Sequence, residues 1–133
     1  MLLTTPVFAG VDRDQALADL RNVEMGVQTV KQAVDSAQKE ADAAAYRYEN
    51  AIKDLALLKD KKITFVRPSD MSKKDAEGYI KYLEHEIKEA EKYVERCKKE
   101  YGYALDDCKD ANKDLSDQWN DYYKCQKALE TAQ

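Results

Sequence analysis

The chain is poor in the residues that interrupt helices. Among 133 residues there are only four glycines and two prolines. Turns depend on these residue types, so their scarcity excludes a fold built from many short elements. Charged residues make up 36% of the chain, which is typical of long helices with much exposed surface, and the hydrophobic share of 44% is too high for simple disorder. The composition therefore predicts one domain made of a few long helices.

The chain also has no long hydrophobic run and no strong excess of positive charge. No run approaches the roughly 18 apolar residues of a membrane-spanning helix, so no membrane span is expected. The net charge is −4, whereas a general nucleic-acid binder needs a concentrated basic surface. The composition therefore favours protein partners over nucleic acid or a membrane.

The N-terminal residues 1–12 have two interpretations. They are predicted to form an extended arm, or they are the remnant of a signal peptide, because Val7, Phe8 and Ala9 resemble a cleavage site. A cytoplasmic location is favoured on the first interpretation. A periplasmic or secreted location follows from the second.

Residues that carry catalysis are equally scarce. The single histidine, His85, lies between Glu84 and Glu86 on the outward side of a predicted helix. The sequence has no glycine-rich phosphate loop, no CxxC and no HExxH motif, and no nucleophile has a plausible base beside it. We therefore expect a protein that is not an enzyme, with no catalytic residue, no metal site and no cofactor.

Three cysteines, Cys97, Cys108 and Cys125, fall on one predicted helix. At a rise of about 1.5 Å per residue they are too far apart to form a disulfide within the chain. We expect them to be small buried residues. An intermolecular disulfide is the alternative.

Hydrophobic residues recur at alternating intervals of three and four in two long runs, which is the heptad pattern of a coiled coil. The first run is Ala16, Leu20, Val23, Val27, Val30, Val34, Ala37, Ala41, Ala44, Tyr48, Ala51, Leu55 and Leu58. The second run is Ala76, Ile80, Leu83, Ile87, Ala90, Val94, Cys97, Tyr101, Ala104, Cys108, Ala111, Leu115, Gln118, Tyr122, Cys125, Leu129 and Ala132. Together they predict helices over about 13–61 and 75–132, joined by an irregular or strand-like tip over 62–74.

Helix-capping residues fit these boundaries. Asp12 with Gln15 is predicted to cap the first helix, and Ser72 with Asp75 the second. Two long amphipathic helices joined once are expected to fold back as an antiparallel hairpin, a two-helix coiled coil within residues 13–133. The predicted fold class is therefore all-α.

Residue volumes suggest how the two helices align. The preferred register sets Tyr48 opposite Ala90 and Tyr101 opposite Ala37, because large side chains then meet small ones. A second register sets Tyr48 opposite Leu83. We expect the first register because it fills the core with fewer voids.

Hydrophobic residues outside the two runs predict self-association or a protein partner, because a two-helix core is narrow. Trp119, Tyr122 and Tyr123 are predicted to take part in assembly. The other such residues are Leu17, Ile52, Leu105, Tyr46, Tyr79, Tyr82, Tyr93 and Tyr103.

The charges differ between the tip and the helix ends remote from it. Basic residues predominate around the tip, and we name as its partner-binding residues Lys61, Lys62, Ile63, Phe65, Val66 and Arg67. The tip is either a lid that packs over the hairpin end or a segment that pairs with a neighbour's arm or a partner's sheet edge. An acidic flank on the second helix consists of Asp107, Asp110, Asp114, Asp117 and Asp121, and it either binds a basic partner or is simply solvated.

The sequence favours a non-enzymatic structural or adaptor protein that mediates protein–protein interaction through helix faces and the tip. One alternative is a small acidic inhibitor, encoded by a mobile element or pathogen, that docks on a basic site of its target. Another is a chaperone-like clamp that holds client proteins.

Overall fold

Two long helices make up almost all of the chain. The computed structural model describes the backbone of residues 4–132 and the side chains of residues 13–132. Helix α1 spans Thr4–Thr64 and helix α2 spans Lys73–Thr131, and the described residues include no strand. The two helices pack against each other, so the predicted all-α class with two long helices is confirmed.

The chain divides into two compact units, which are described separately. The terminal unit contains Met1–Lys39 and Asp106–Gln133, and the tip unit contains Glu40–Leu105. Each unit is therefore built from one stretch of α1 and one stretch of α2.

The heptad positions form the core of both units. Every position of the two predicted runs is buried or half-buried, because a stripe at intervals of three and four stays on one side of a helix. The side chains with the least exposed surface include Ala44 and Ala41 on α1, and Leu83 and Cys97 on α2. No polar or charged residue is buried in the described part of the chain.

In the tip unit the helices run antiparallel, but not in the preferred register. The rings of Tyr48 and Tyr101 lie 6.2 Å apart between centroids. The preferred register sets Tyr48 opposite Ala90, which lies eleven residues before Tyr101, or about 16 Å along the helix. That register is wrong, because Tyr48 lies beside Tyr101. The second register, with Tyr48 opposite Leu83, separates them further. The two tilted tyrosine rings therefore lie at the same position along the core. The expectation that each large side chain faces a small one did not predict this pairing.

In the terminal unit a glycine on one helix makes room for a side chain of the other. A Cβ atom added to Gly26 would lie 2.7 Å from Oε1 of Gln118. The missing side chain at residue 26 leaves the space that Gln118, the polar member of the α2 run, occupies. Because Gly26 precedes the heptad position Val27, the predicted stripe did not include it.

The start of α1 differs from the expected arm. Residues 4–12 are helical, and residues 1–3 lie outside the described part of the chain. Pro6 is tolerated because it falls in the first turn, where its missing N–H group has no helical partner to lose. Asp12 lies within α1 and does not cap it, and Gln15 Nε2 donates to Oδ1 of Asp19 at 2.9 Å, one turn further on. The signal-peptide interpretation stays a prediction.

The connection between the helices is shorter than expected and not strand-like. Helix α1 continues to Thr64, whose hydroxyl donates to the carbonyl of Asp60 at 2.8 Å, so the segment outside helices is 65–72. Lys61 and Lys62 belong to the last turn of α1, where their charges favour the helix C-terminus. A turn follows, in which the Met71 N–H donates to the Pro68 carbonyl at 3.1 Å.

The predicted cap of the second helix is confirmed. The Asp75 N–H donates to Oγ of Ser72 at 3.0 Å, and the Ala76 N–H donates to the Ser72 carbonyl at the same distance. The first bond satisfies a donor that has no partner in the first turn of a helix, and the second is the first hydrogen bond of the helix itself. Ser72 thereby sets the start of α2.

Candidate interaction surfaces

The predicted tip residues divide into one that packs and others that face outward. The Phe65 ring lies 4.9 Å from the Tyr79 ring between centroids, and Phe65 is half-buried. By contrast, Ile63 is 81% exposed and Val66 is 82% exposed. Phe65 therefore covers the side of α2, while Ile63 and Val66 present apolar surface.

The cations of the tip are sequence neighbours of these two apolar residues. Lys61, Lys62 and Arg67 are all exposed. Lys62 Nζ lies 3.4 Å from Oε1 of Glu84, and both side chains remain partly exposed, so solvent weakens the pair. The tip is thus a basic surface with two exposed aliphatic residues.

The acidic flank is continuous along α2. Asp107, Asp110, Asp114, Asp117 and Asp121 are all exposed, and each directly precedes a heptad position, which puts them on one side of the core stripe. None of the five forms an ion pair with another residue among 13–132. The structure places these residues together, and their role stays a prediction.

The three predicted assembly residues form an aromatic cluster in the terminal unit. Trp119 contacts Tyr122 edge-on at 5.5 Å and stacks on Tyr123 at 6.0 Å, measured between ring centroids. The ammonium group of Lys31 lies 5.1 Å from the Trp119 ring centroid, within the range of a cation–π contact. Trp119 and Tyr122 are half-buried, and Tyr123 is exposed.

An open groove of about 600 Å³ lies beside this cluster. Its lining residues come from both helices of the terminal unit and are Arg21, Glu24, Met25, Val27, Gln28, Trp119 and Tyr122. Met25 is 69% exposed, so the groove presents apolar surface from α1 as well as from α2. The sequence predicted the side of the groove that α2 forms, because Trp119 and Tyr122 were expected to take part in assembly. The α1 wall was missed, although Arg21, Glu24 and Gln28 follow the same spacing of three and four as the core.

Exposed tyrosines are the main feature of α2 in the tip unit. Tyr79, Tyr82, Tyr93 and Tyr103 all lie outside the core stripe, as predicted, and all four are exposed. The Tyr79 and Tyr82 rings stack with centroids 6.4 Å apart, and the Arg96 guanidinium lies 5.1 Å from the Tyr93 ring centroid. Side chains of this kind are enriched at protein interfaces.

The pKa of the exposed residue Tyr93 is shifted. A hydrogen bond with the Cys97 side chain, followed by the electrostatic effect of the same side chain, raises the pKa of Tyr93 above its ordinary value of 10.0. Cys97 is 2% exposed and lies one turn along α2. The side chain that raises this pKa therefore belongs to the core.

The cysteines are free and differ in burial. Cys97 and Cys108 are buried, as expected for small core residues, and Cys125 is half-buried. Within residues 13–132 no group of three or more His, Cys, Asp or Glu side chains is arranged to hold a metal ion. Over the part of the chain described, neither helix is both long and apolar enough to cross a membrane.

Comparison with known proteins gives no relative. No protein-family model matches the chain, and neither the curated proteins nor the solved structures include a significant match.

Proposed function

We propose that this protein is a non-enzymatic, structural or adaptor coiled-coil protein that mediates protein–protein interaction through helix faces and the tip. The observation that carries the proposal is the grouping of exposed aromatic and aliphatic side chains beside a small core. The groups are the aromatic cluster with its groove, the exposed tyrosines of α2, and Ile63 with Val66 at the tip.

The size of the side chains in the core supports this proposal. Most of the buried hydrophobic residues are alanine or cysteine, and Leu83 is the largest side chain that is almost fully enclosed. Outside the core, Tyr46 and Tyr103 are each 67% exposed and Leu57 is 62% exposed. Burying such side chains against a partner removes apolar surface from water, which is the main source of affinity in protein complexes.

The coiled-coil part of the proposal rests on the unbroken heptad stripe. Every predicted core position is at least half-buried on both helices, with no insertion that shifts the phase. Alanine at many of these positions permits close approach of the two helices, as at Ala41 and Ala44. The remaining helix faces are then free to present side chains to partners.

Crosslinking in the native source tests the proposal. The full chain carries an affinity tag, and lysine-reactive crosslinks are mapped by mass spectrometry. We expect crosslinks to one defined protein, or to a second copy of this chain, that concentrate near the aromatic cluster or the tip. Crosslinks spread evenly over the chain, together with a monomeric mass, would contradict the proposal.

A pair of tip substitutions separates a lid from a binding surface. We expect Phe65→Ser to lower the free energy of unfolding by about 2 kcal/mol, because it removes the ring that packs on Tyr79. Val66→Ser should leave stability within about 0.5 kcal/mol, because Val66 is 82% exposed, and should weaken partner binding. Urea unfolding and crosslink yield measure the two effects. If Val66→Ser leaves the crosslinks at the tip unchanged, the tip is only a lid.

The acidic inhibitor remains a second candidate because five neighbouring carboxylates are exposed with no described cation paired to them. Asp110→Asn, Asp114→Asn and Asp117→Asn together should then abolish binding to a basic target and remove its salt dependence. The matched control changes three acidic residues elsewhere on α2, Glu77, Glu91 and Glu95, to glutamine. Equal loss in both triple variants would point to net charge and not to the flank.

A further inference from the structure

A stripe of polar residues on α1 runs beside the groove. It consists of Arg21, Glu24, Gln28, Lys31 and Asp35, spaced at alternating intervals of three and four, so that the residues share one side of the helix. All five are exposed. None of the four charged members forms an ion pair with another residue in the described part of the chain.

The charges of this α1 stripe are arranged with opposite signs about its centre. From Arg21 the order is positive, negative, neutral, positive, negative. Read in reverse, the order gives the opposite charge at every position, with Gln28 unchanged in the middle. A stripe of this kind is complementary to an antiparallel copy of itself.

Twofold symmetry produces that pairing. In a twofold interface the same surface of both subunits is used, and each contact occurs twice. With Gln28 at the axis and the two α1 helices antiparallel, Arg21 of one copy lies opposite Asp35 of the other. Glu24 lies within one residue, about 1.5 Å along the helix, of Lys31 of the other copy. Four complementary charge pairs result among the four charged residues of the stripe.

The groove beside the stripe supplies apolar surface to the same interface. Met25 and Val27 of α1 and Trp119 and Tyr122 of α2 line it. Lys31 lies over the Trp119 ring, which joins the stripe to the aromatic cluster. A helix placed against the stripe therefore covers partly exposed aromatic side chains, the residues that dominate binding energy in protein interfaces.

The accessible surface leaves room for such an interface. The chain exposes 10264 Å², whereas a compact monomer of its mass, 15.2 kDa, exposes about 7,100 Å². The difference exceeds the roughly 1,200–2,000 Å² that a stable complex of standard size buries in total. Pairing with a second copy would remove part of this excess.

From these observations we infer that the chain forms a twofold-symmetric dimer through the α1 stripe, with Gln28 at the axis and the groove covered by the second copy. The inference rests on the proposed function, because it names the partner and the surface of one protein–protein interaction.

Charge reversal tests the pairing. Lys31→Glu sets two glutamates against each other across the interface, and Glu24→Lys sets two lysines against each other. Each variant alone should lose at least about tenfold in dimer affinity, because two symmetric attractions become repulsions. Sedimentation velocity across a dilution series measures the affinity, and circular dichroism confirms that helicity is retained. Dimerisation of either variant at the strength of the unaltered protein overturns the proposal.

Mixing the two reversed variants gives the sharper result. Lys31→Glu protein presents two glutamates where Glu24→Lys protein presents two lysines, so an equimolar mixture should dimerise more tightly than either variant alone. The double variant Glu24→Lys with Lys31→Glu should also dimerise by itself. The control Lys113→Glu makes the same reversal at an exposed position of the terminal unit outside the stripe, and should leave the affinity unchanged. Failure of the mixture to recover dimers refutes the proposed register.

A cysteine at the axis provides an independent measurement. Gln28→Cys places two thiols across the twofold axis, where adjacent helices approach closely enough for a disulfide. In a Cys125→Ser background, mild oxidation should convert most of the Gln28→Cys protein to a covalent dimer. Lys113→Cys in the same background should remain largely monomeric. Equal crosslinking of both variants would contradict an axis at residue 28.

Two further comparisons separate this inference from other associations. Lys61→Glu with Lys62→Glu should leave the dimer intact, whereas an association of tip with acidic flank predicts its loss. If the unaltered protein is monomeric at every concentration, the dimer is excluded. In that case the proposed function still stands if crosslinking in the native source identifies a partner protein. It fails together with the dimer only if no crosslinked partner is found.

Discussion

Among single residues, the three glycines within residues 13–132 have different surroundings. A Cβ atom added at Gly78 or Gly102 would meet nothing within 4 Å, whereas one at Gly26 would meet the Gln118 amide. We expect Gly78→Ala and Gly102→Ala each to raise the free energy of unfolding by about 0.5–1 kcal/mol, because alanine restricts the unfolded chain and favours the helix. Urea unfolding monitored by circular dichroism measures both gains.

The same substitution at Gly26 should gain less, because the Gln118 side chain has to move. Changing Gln118 to alanine as well should restore the full gain, since the obstructing atoms are then absent. This double-mutant cycle measures the coupling between the two residues. A full gain from Gly26→Ala in the presence of Gln118 would show that the close approach does not constrain the helices.

The bond between Tyr93 and Cys97 gives a dependence on pH. Because the pKa of Tyr93 is raised in the folded chain, the folded state keeps its proton more tightly than the unfolded state. The resulting contribution to stability is complete below the ordinary pKa of 10.0 and is lost as pH rises above it.

We therefore expect the stability difference between the unaltered protein and Tyr93→Phe to shrink as the pH is raised above 10.0. Urea unfolding at a series of alkaline pH values provides the measurement. Tyr103→Phe, which removes the hydroxyl of another exposed tyrosine on α2, serves as the control. A difference that stays constant over this range would rule out the contribution of the bond.

Among the structural elements, the start of α2 depends on one side chain. Ser72→Ala removes the acceptor of the Asp75 N–H, and we expect a loss of about 1 kcal/mol in the free energy of unfolding. Ser69→Ala is a matched control, because Ser69 is an exposed residue of the same connection. Thermal or urea unfolding compares the two variants. Similar losses in both would mean that the hydroxyl of Ser72 does not hold the helix start.

The helices and their buried sides were predictable because both depend on local spacing. Positions such as Val27 and Leu83 recur in phase over many turns, and only a helix keeps such residues on one side. The cap at Ser72 was predictable for a related reason, since its partner is three residues away. The two chemically distinctive α2 surfaces, the aromatic cluster and the acidic flank, follow from the same spacing.

Features that depend on distant residues were not predictable in the same way. The alignment of the helices involves Gly26 with Gln118 and Tyr48 with Tyr101, contacts whose geometry no local pattern encodes. The end of α1 was misplaced because "ITFV" has the residues of a strand, whereas Ile63 and Thr64 continue the preceding helix. Local preference was overridden there by helix propagation, in which each added residue gains a hydrogen bond.

For the molecule as a whole, the small core predicts that each unit opens under mild destabilisation. Alanine and cysteine side chains remove less surface from water than leucine or isoleucine, so less free energy is gained per turn of helix buried. The described part of the chain also has no buried charge or polar side chain that would leave an unpaired group when the helices separate. Opening and closing of each unit should therefore be fast and reversible.

The graded burial of the three thiols makes that opening measurable without any substitution in the chain. Cys97 belongs to the tip unit and Cys108 to the terminal unit, and a thiol-specific reagent reaches either one only while its own unit is open. We expect Cys125 to be modified first and Cys97 and Cys108 later, with rates that rise with urea. Mass spectrometry of partially modified protein assigns each rate. Modification of all three at the rate of an exposed thiol would mean that the core does not protect them. The modification rates of Cys97 and Cys108 thus measure how often the core of the tip unit and the core of the terminal unit each open.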